Sequence, residues 1–244
     1  MRTIKILSIG NSYSQDAQRY LYGIARADNI DLKTVNLYIG GCTLAKHCRN
    51  ILSEEKVYSF EINGICNTGI KVSLKEALIS DDWDYITIQQ QSLQSCDFEN
   101  FTPYLEILNE YVYRHCPKAK IILLRTWGYK NGSATLASAG YENNRQMFED
   151  AKKAYGEAAE RIGAFMTIPL GDAVAVAAER GVESLFRDDI HMSHTFGRYL
   201  LGLTFFTCLT GRPIMENSFC DLDKPMSDEE FALAKEIAES FRRK

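Results

Sequence analysis

The chain has no uninterrupted apolar run of about eighteen residues, the length a helix needs to cross a bilayer, so nothing in the sequence spans a membrane. It also lacks a basic excess. The 28 Lys and Arg stand against 32 Asp and Glu for a net charge of −4, and they are scattered, which excludes the electrostatic footprint of a nucleic-acid binder. Proline is scarce at 5, and no Pro/Gly/Ser-rich linker or internal repeat divides the 244 residues. Residues 1–244 therefore read as one domain, long enough to bury a substantial core. No CxxC pair occurs among the 7 cysteines, and an odd, unpatterned set suits free thiols in a reducing compartment better than a disulfide scaffold. Cys42 and Cys48 flank His47, but the expectation is buried small hydrophobes, not a metal site. The opening Met-Arg-Thr-Ile-Lys-Ile-Leu-Ser-Ile-Gly is too short in its apolar stretch for a secretory signal and alternates like a strand. A cytoplasmic location is the expectation.

Apolar runs bounded by turn residues alternate with helical patterns from end to end. Strands are expected at Ile4–Ile9, Lys33–Tyr38, Tyr85–Ile88, Ile121–Leu124 and Phe165–Ile168. Their continuous Ile/Leu/Val character indicates burial on both faces, hence a parallel sheet of about five strands. Helices are expected from about Gln15 to Ala27 and from Leu44 to Leu52. Another carries the stripe Met147, Ala151, Ala154, Tyr155, Ala158 and Ile162, closed by Gly163. Leu201, Phe205, Phe206 and a last helix around Phe231 to Phe241 read as packing against the sheet. Residues 56–72, with Asn63-Gly64 between apolar stretches, suggest a β-hairpin insertion. Residues 128–143 read as a long loop. The fold class expected is α/β, a three-layer α/β/α sandwich.

In an open parallel sheet ligands bind at the carboxyl ends of the strands. Four polar clusters follow strands or precede the long apolar helix: Gly10-Asn11-Ser12-Tyr13-Ser14, Gly40-Gly41-Cys42-Thr43, Gln89-Gln90-Gln91-Ser92 and Arg187-Asp188-Asp189-Ile190-His191-Met192-Ser193-His194. Ser12, at a helix entrance, offers an exposed hydroxyl and a backbone N–H aimed at a developing oxyanion; Ser12 or Ser14 could equally serve as a helix cap. Gly10 is expected to permit a tight turn. A serine nucleophile needs a base, and a carboxylate on the base's other nitrogen orients it. Of the 4 histidines, His47 and His115 lie in helical patterns, whereas His191 sits three residues after Asp188, close enough to be oriented by it. No GxSxG elbow is present, which argues against an α/β-hydrolase fold.

In these blocks the chain resembles the SGNH or GDSL-type hydrolases. Gly10-Asn11-Ser12 corresponds to the family's Gly-Asp-Ser, with Asn for Asp, and Asp188-Asp189-Ile190-His191 to its Asp-x-x-His. The resemblance implies a flavodoxin-like sandwich and a triad of Ser12, His191 and Asp188. It makes Gly41 the glycine whose N–H joins that of Ser12 in the oxyanion hole. The usual Gly-x-Asn-Asp block is absent; Gln89-Gln90-Gln91-Ser92 is more similar to the sialate- and xylan-acetylesterase branches, where a glutamine supplies the third donor. Gln89, then Gln91, is the implied donor, both expected on one side if the strand continues that far.

What the resemblance implies is two-step acyl transfer on a carboxylic ester with no metal or organic cofactor, and a carbohydrate O-acetyl ester as substrate. Trp127 and Tyr13 are candidate substrate-binding aromatics, with Tyr129 beside them. Two other functions compete. Asp188, His191 and His194, at i, i+3 and i+6, offer a ligand set for a metal-dependent hydrolase. A loop cradling a phosphate or sugar without turnover would make the chain a binding module. Oligomeric state is not legible.

Overall fold

The computed structural model describes residues 2–243. The chain begins with β1 (Ile4–Gly10), α1 (Ser12–Gln18), α2 (Leu21–Ala27), β2 (Leu32–Tyr38), α3 (Leu44–Ser53), β3 (Tyr58–Ile62), β4 (Lys71–Val72), α4 (Leu74–Leu78) and β5 (Tyr85–Ile88). It continues with α5 (Tyr104–His115), β6 (Lys120–Leu124), α6 (Ala134–Ser138), α7 (Asn144–Ile162), β7 (Met166–Ile168), α8 (Leu170–Glu179), α9 (Phe196–Thr210) and α10 (Asp228–Glu239). Local chemistry marks the boundaries. Asn143 caps the start of α7 and Gly163, at φ 59°, ends it in the left-handed region. Ser73 with Glu76 and Ser227 with Glu230 form capping boxes on α4 and α10.

The sheet order is β4-β3-β2-β1-β5-β6-β7. Five strands, β2-β1-β5-β6-β7, run parallel in the flavodoxin-like order, and the chain reverses direction across the sheet between β1 and β5. The sheet has seven strands, not five: the two additional ones are β3 and β4, paired antiparallel at the β2 edge. They are the insertion expected at 56–72, and Asn63 (φ 52°) with Gly64 (φ 77°) makes its turn. Residues 128–143 are less irregular than expected, since Ser133 caps the short α6 there.

Side-chain alternation sorts the strands into two faces. Leu7, Ile9, Val35, Leu37, Ile86, Ile88 and Leu123 pack against α3, α4, α5 and α7. Ile6, Leu32, Ile122 and Leu124 pack with α1, α2, α8, α9 and α10, giving three layers. α9 is apolar almost all round and buried almost throughout. Towards the carboxyl end this second face turns polar: Ser8 pairs in register with Asn36 on one side and Thr87 on the other, and all three are buried.

The helix expected as one piece from Gln15 to Ala27 starts earlier and is broken at Arg19-Tyr20. The apolar stripe Ala17, Leu21, Ile24 and Ala25 survives the break, because all four residues are buried in one cluster. The interruption lets the Tyr20 hydroxyl donate to the His194 carbonyl and accept from Asp223 N at 2.9 Å. It thereby ties the α1–α2 junction to the segment after His191.

Candidate active site

Ser12 is the first residue of α1, directly after β1 at the reversal point of the sheet. It is not the cap. Asn11 caps the helix, its Oδ1 accepting from Tyr13 N at 3.0 Å, which leaves the Ser12 hydroxyl uncommitted to the helix. The N–H groups of a first helical turn have no intrahelical acceptor and carry the positive end of the helix dipole, so Ser12 N suits a developing negative charge. Gly10 does not have a positive φ. A Cβ there would stand 2.4 Å from Ser14 Oγ, so glycine is required for the close approach of α1 to β1, not for the tight turn expected of it.

The structure brings Ser12, His191 and Asp188 together. His191 Nε2 lies 2.9 Å from Ser12 Oγ, and Nδ1 lies 2.9 Å from Asp188 Oδ2. Asp188 Oδ1 also accepts backbone N–H groups from Ile190 at 2.9 Å and His191 at 2.7 Å. Partial burial pushes the Asp188 carboxyl up, but those N–H groups and the imidazole outweigh it and hold the carboxyl below its ordinary value. An ionised Asp188 requires the proton on Nδ1, so Nε2 faces Ser12 as an acceptor.

Around this line the structure reassigns several residues. Gly41, at φ 58° and exposed, sits in the turn after β2. The Gly40–Cys42 turn is tied to the nucleophile loop by Asn11 Nδ2, which donates to the Cys42 carbonyl at 3.1 Å. An aspartate could not donate that bond, which accounts for asparagine in this chain's Gly-Asn-Ser. Gln89 is buried, and its amide donates to Asn11 Oδ1 at 2.8 Å, so it braces the nucleophile loop. β5 ends at Ile88, so the period-two expectation does not apply: Gln91 turns away, donating to Ser92 Oγ at 3.1 Å and accepting from Gln94 N at 3.0 Å. Neither glutamine is aimed at Ser12 by these bonds. Gln90, which the sequence did not single out, accepts from Leu44 N at 3.0 Å and donates to the Asn100 carbonyl at 2.7 Å, pinning the start of α3.

Tyr13 and Trp127 are buried and stacked on each other, ring centroids 3.9 Å apart and 4° from parallel. Their flat faces serve the core beneath His191, not a sugar ring; the Tyr13 ring meets the imidazole edge-on at 6.2 Å. Trp127 Nε1 donates to the Ile190 carbonyl at 2.9 Å, so the indole supports the loop carrying His191. Tyr129 is buried as well, its hydroxyl 2.8 Å from Ser92 Oγ.

Asp16, one turn along from Ser12, is completely buried. Its carboxylate accepts from Arg187 Nη1 at 2.9 Å, Arg198 Nε at 2.8 Å and Met192 N at 3.1 Å. Arg187 also donates to the Met192 carbonyl. These bonds clamp the Arg187–Met192 segment, and with it Asp188 and His191, onto the nucleophile helix. Nothing in the sequence distinguishes Asp16 from a solvated helix acid.

His191 engages Asp188 and Ser12 through its two nitrogens, and His194 takes part through its main-chain carbonyl. Among the described residues no three His, Cys, Asp or Glu side chains are grouped as a metal set. Cys42 and Cys48 are buried free thiols, as expected of small hydrophobes, and His47 is buried too. Burial pushes the Cys42 thiol up to about 12 and, with a smaller contribution from Lys46, His47 down to about 3.

An α/β/α sandwich of flavodoxin-like order, with serine after its first strand and Asp-x-x-His before a late helix, has the SGNH-hydrolase fold. The family model described as a domain of unknown function, DUF4886, matches residues 5–240, and the chain belongs to that family. A DUF4886 protein from Bacteroides uniformis, known as a crystal structure, is 29% identical, with 98% of this chain and 94% of that one covered and a TM-score of 0.89. A proposed SGNH hydrolase from Slackia heliotrinireducens is 22% identical over 83% of this chain and 96% of its own, TM-score 0.58. A proposed GDSL-like lipase from Parabacteroides merdae is 14% identical over 82% and 91%, TM-score 0.52. No curated protein matches the sequence.

Proposed function

We propose that the protein is a serine ester hydrolase that cleaves carboxylic esters, with O-acetyl groups on carbohydrate as its substrates. The observation that carries this reading is His191 placed between Ser12 Oγ and the Asp188 carboxylate, 2.9 Å from each. A solvated helix-capping serine needs no such partner, and a phosphate cradle needs no imidazole.

In the mechanism this supports, Ser12 Oγ attacks the ester carbonyl while its proton passes to His191 Nε2. The tetrahedral oxyanion is held by the N–H groups of Ser12 and Gly41, preorganised by the Asn11 bridge between the two loops. His191 returns the proton to the departing alcohol, leaving acyl-Ser12. Water, deprotonated by His191, then attacks the acyl carbon and releases the acid, with the proton going back to Ser12. Asp188 stays ionised throughout and holds the imidazolium.

Hydrolysis of p-nitrophenyl acetate by wild type, Ser12→Ala and His191→Ala tests the reading, with labelling by a fluorophosphonate. Each substitution is expected to lower kcat/KM by roughly three or more orders of magnitude. Labelling of Ser12 in wild type should be absent from Ser12→Ala. Equal turnover in all three proteins would overturn the triad.

A further inference from the structure

A cleft of about 650 Å³ opens between α1, the end of β2 and the β3–β4 insertion, lined by Gln15, Arg19, Tyr38, Ser59, Glu61 and Arg198 among others. Its size is that of a small-molecule site. Three features place it near Ser12 and His191. Gln15 lies one turn from Ser12 on α1. The Tyr38 hydroxyl stands 3.3 Å from where a Cβ on Gly40 would be, beside the Gly41 turn. Arg198 bonds Asp16. The outer wall is held in place: a Cβ on Gly64, at the hairpin tip, would lie 2.2 Å from the Arg19 carbonyl, so the tip docks directly on the α1–α2 junction.

The lining restricts what this cleft can hold. Its two guanidiniums are already paired, Arg19 with Asp223 and Arg198 with Asp16 and Asp223. An anionic ligand would therefore find no free positive charge and would face Glu61. A cationic one would face Arg19 and Arg198. An apolar one would offer the Glu61 carboxylate, 4% exposed, no hydrogen-bond donor. Glu61 accepts from Gln15 at 2.6 Å and Asn36 at 2.8 Å, and each carboxylate oxygen has a further lone pair. Carboxylate acceptors facing guanidinium, amide and hydroxyl donors suit a neutral group that both donates and accepts at neighbouring positions, which is a polyol.

We propose that this cleft is the subsite for the alcohol part of the ester, taking the vicinal hydroxyls of a neutral sugar ring; the proposal rests on the serine-esterase reading of Ser12. It places the acyl carbon at Ser12 and the sugar against the β3–β4 insertion, so the two antiparallel strands added to the sheet edge set substrate choice.

The test compares wild type, Glu61→Gln and the cleft-filling Ser59→Phe. The substrates are p-nitrophenyl acetate, whose leaving group has no vicinal hydroxyls, and a panel of mono-O-acetylated methyl glucoside, galactoside, mannoside and xyloside. Wild type should hydrolyse at least one sugar ester. In both variants the ratio of kcat/KM for that ester to kcat/KM for p-nitrophenyl acetate should fall at least tenfold, chiefly through KM. Circular dichroism checks folding, and Ser59→Phe decides the matter if Glu61→Gln does not fold. An unchanged ratio, or a wild type that cleaves p-nitrophenyl acetate but no acetylated sugar, overturns the subsite. If wild type cleaves no ester, the esterase reading fails separately. Saturation-transfer NMR with the free methyl glycosides then judges the cleft: a transfer signal seen with wild type and abolished by Ser59→Phe supports it, and no signal with wild type overturns it.

Discussion

The two faces of the central sheet are built on different principles. The face towards α3, α4, α5 and α7 is apolar beyond the Lys5 and Lys33 pairs with Asp81 at its amino end, with Leu7, Ile9, Val35, Leu37, Ile86 and Ile88 from the three central strands. On the same three strands the opposite face is apolar only at the amino end, with Ile6 and Leu32, and then carries Ser8, Thr34, Asn36 and Thr87. Apolar burial is non-directional and contributes about 25 cal/mol per Å², so it stabilises without fixing a position closely. Buried polar groups need partners, and partners fix geometry. Thr87 donates to Ser8 at 2.6 Å, Gln18 donates to Ser8, and Ser14 donates to Asn36 at 2.6 Å. These bonds seat α1, and so Ser12, on the strands, while the apolar face supplies bulk stability.

This contrast is open to measurement. The largest effect is expected for Asp16→Ala, which strands Arg198 and Arg187 beside the polar face; breaking a buried ion pair costs about 3–5 kcal/mol. Urea unfolding should show that loss, and turnover of p-nitrophenyl acetate should fall with it. A cost below about 1 kcal/mol would mean that the clamp adds little beyond an exposed pair. Leu105→Ala, in the opposite layer and fully buried, is expected to cost about 2–5 kcal/mol, yet the protein that remains folded should keep its kcat/KM. A loss of turnover per folded molecule would show that both faces position the site.

The apolar layer also holds the buried His47, stacked on Tyr58, with Nδ1 2.9 Å from the Tyr58 hydroxyl. Burial keeps its folded value near 3 against 6.5 for the free side chain. Below 6.5 the unfolded chain binds a proton that the folded chain refuses. Stability therefore falls as pH drops through the window from 6.5 to 3, by about 2 kcal/mol between pH 7 and pH 5. His47→Gln should remove that share of the pH dependence in urea titrations. The smallest effect concerns Asn11→Asp. Losing the donor to the Cys42 carbonyl should cost about 1 kcal/mol in stability and lower kcat/KM by loosening the Gly40–Cys42 turn. An unchanged kcat/KM would remove Asn11 from the group that aligns the two loops.

What the sequence revealed follows the same division. The five parallel strands were legible because apolar runs between turn residues are a property of the residues themselves. Ser12, Asp188 and His191 were legible because their order and their places after strands survive in one dimension. Asp16 was not, because a helix acid looks the same whether it meets water or two arginines from residues 187 and 198. Tyr13 and Trp127 were placed on the wrong side of the wall for a related reason: an aromatic at a strand end offers the same face to a sugar or to another ring. The break at Arg19-Tyr20 was hidden because the apolar stripe continues through it, and the partners that stabilise it, His194 and Asp223, lie far along the chain.

The bond between Ser12 and His191 joins residues 179 positions apart. At about 5–20 residues per second of synthesis, Ser12 precedes His191 by roughly 10–35 s. A chain stalled anywhere in that interval holds Ser12 without its hydrogen-bond partner His191. On the serine-hydrolase reading proposed above, activity acquired during translation would report the arrival of the Arg187–Arg198 segment.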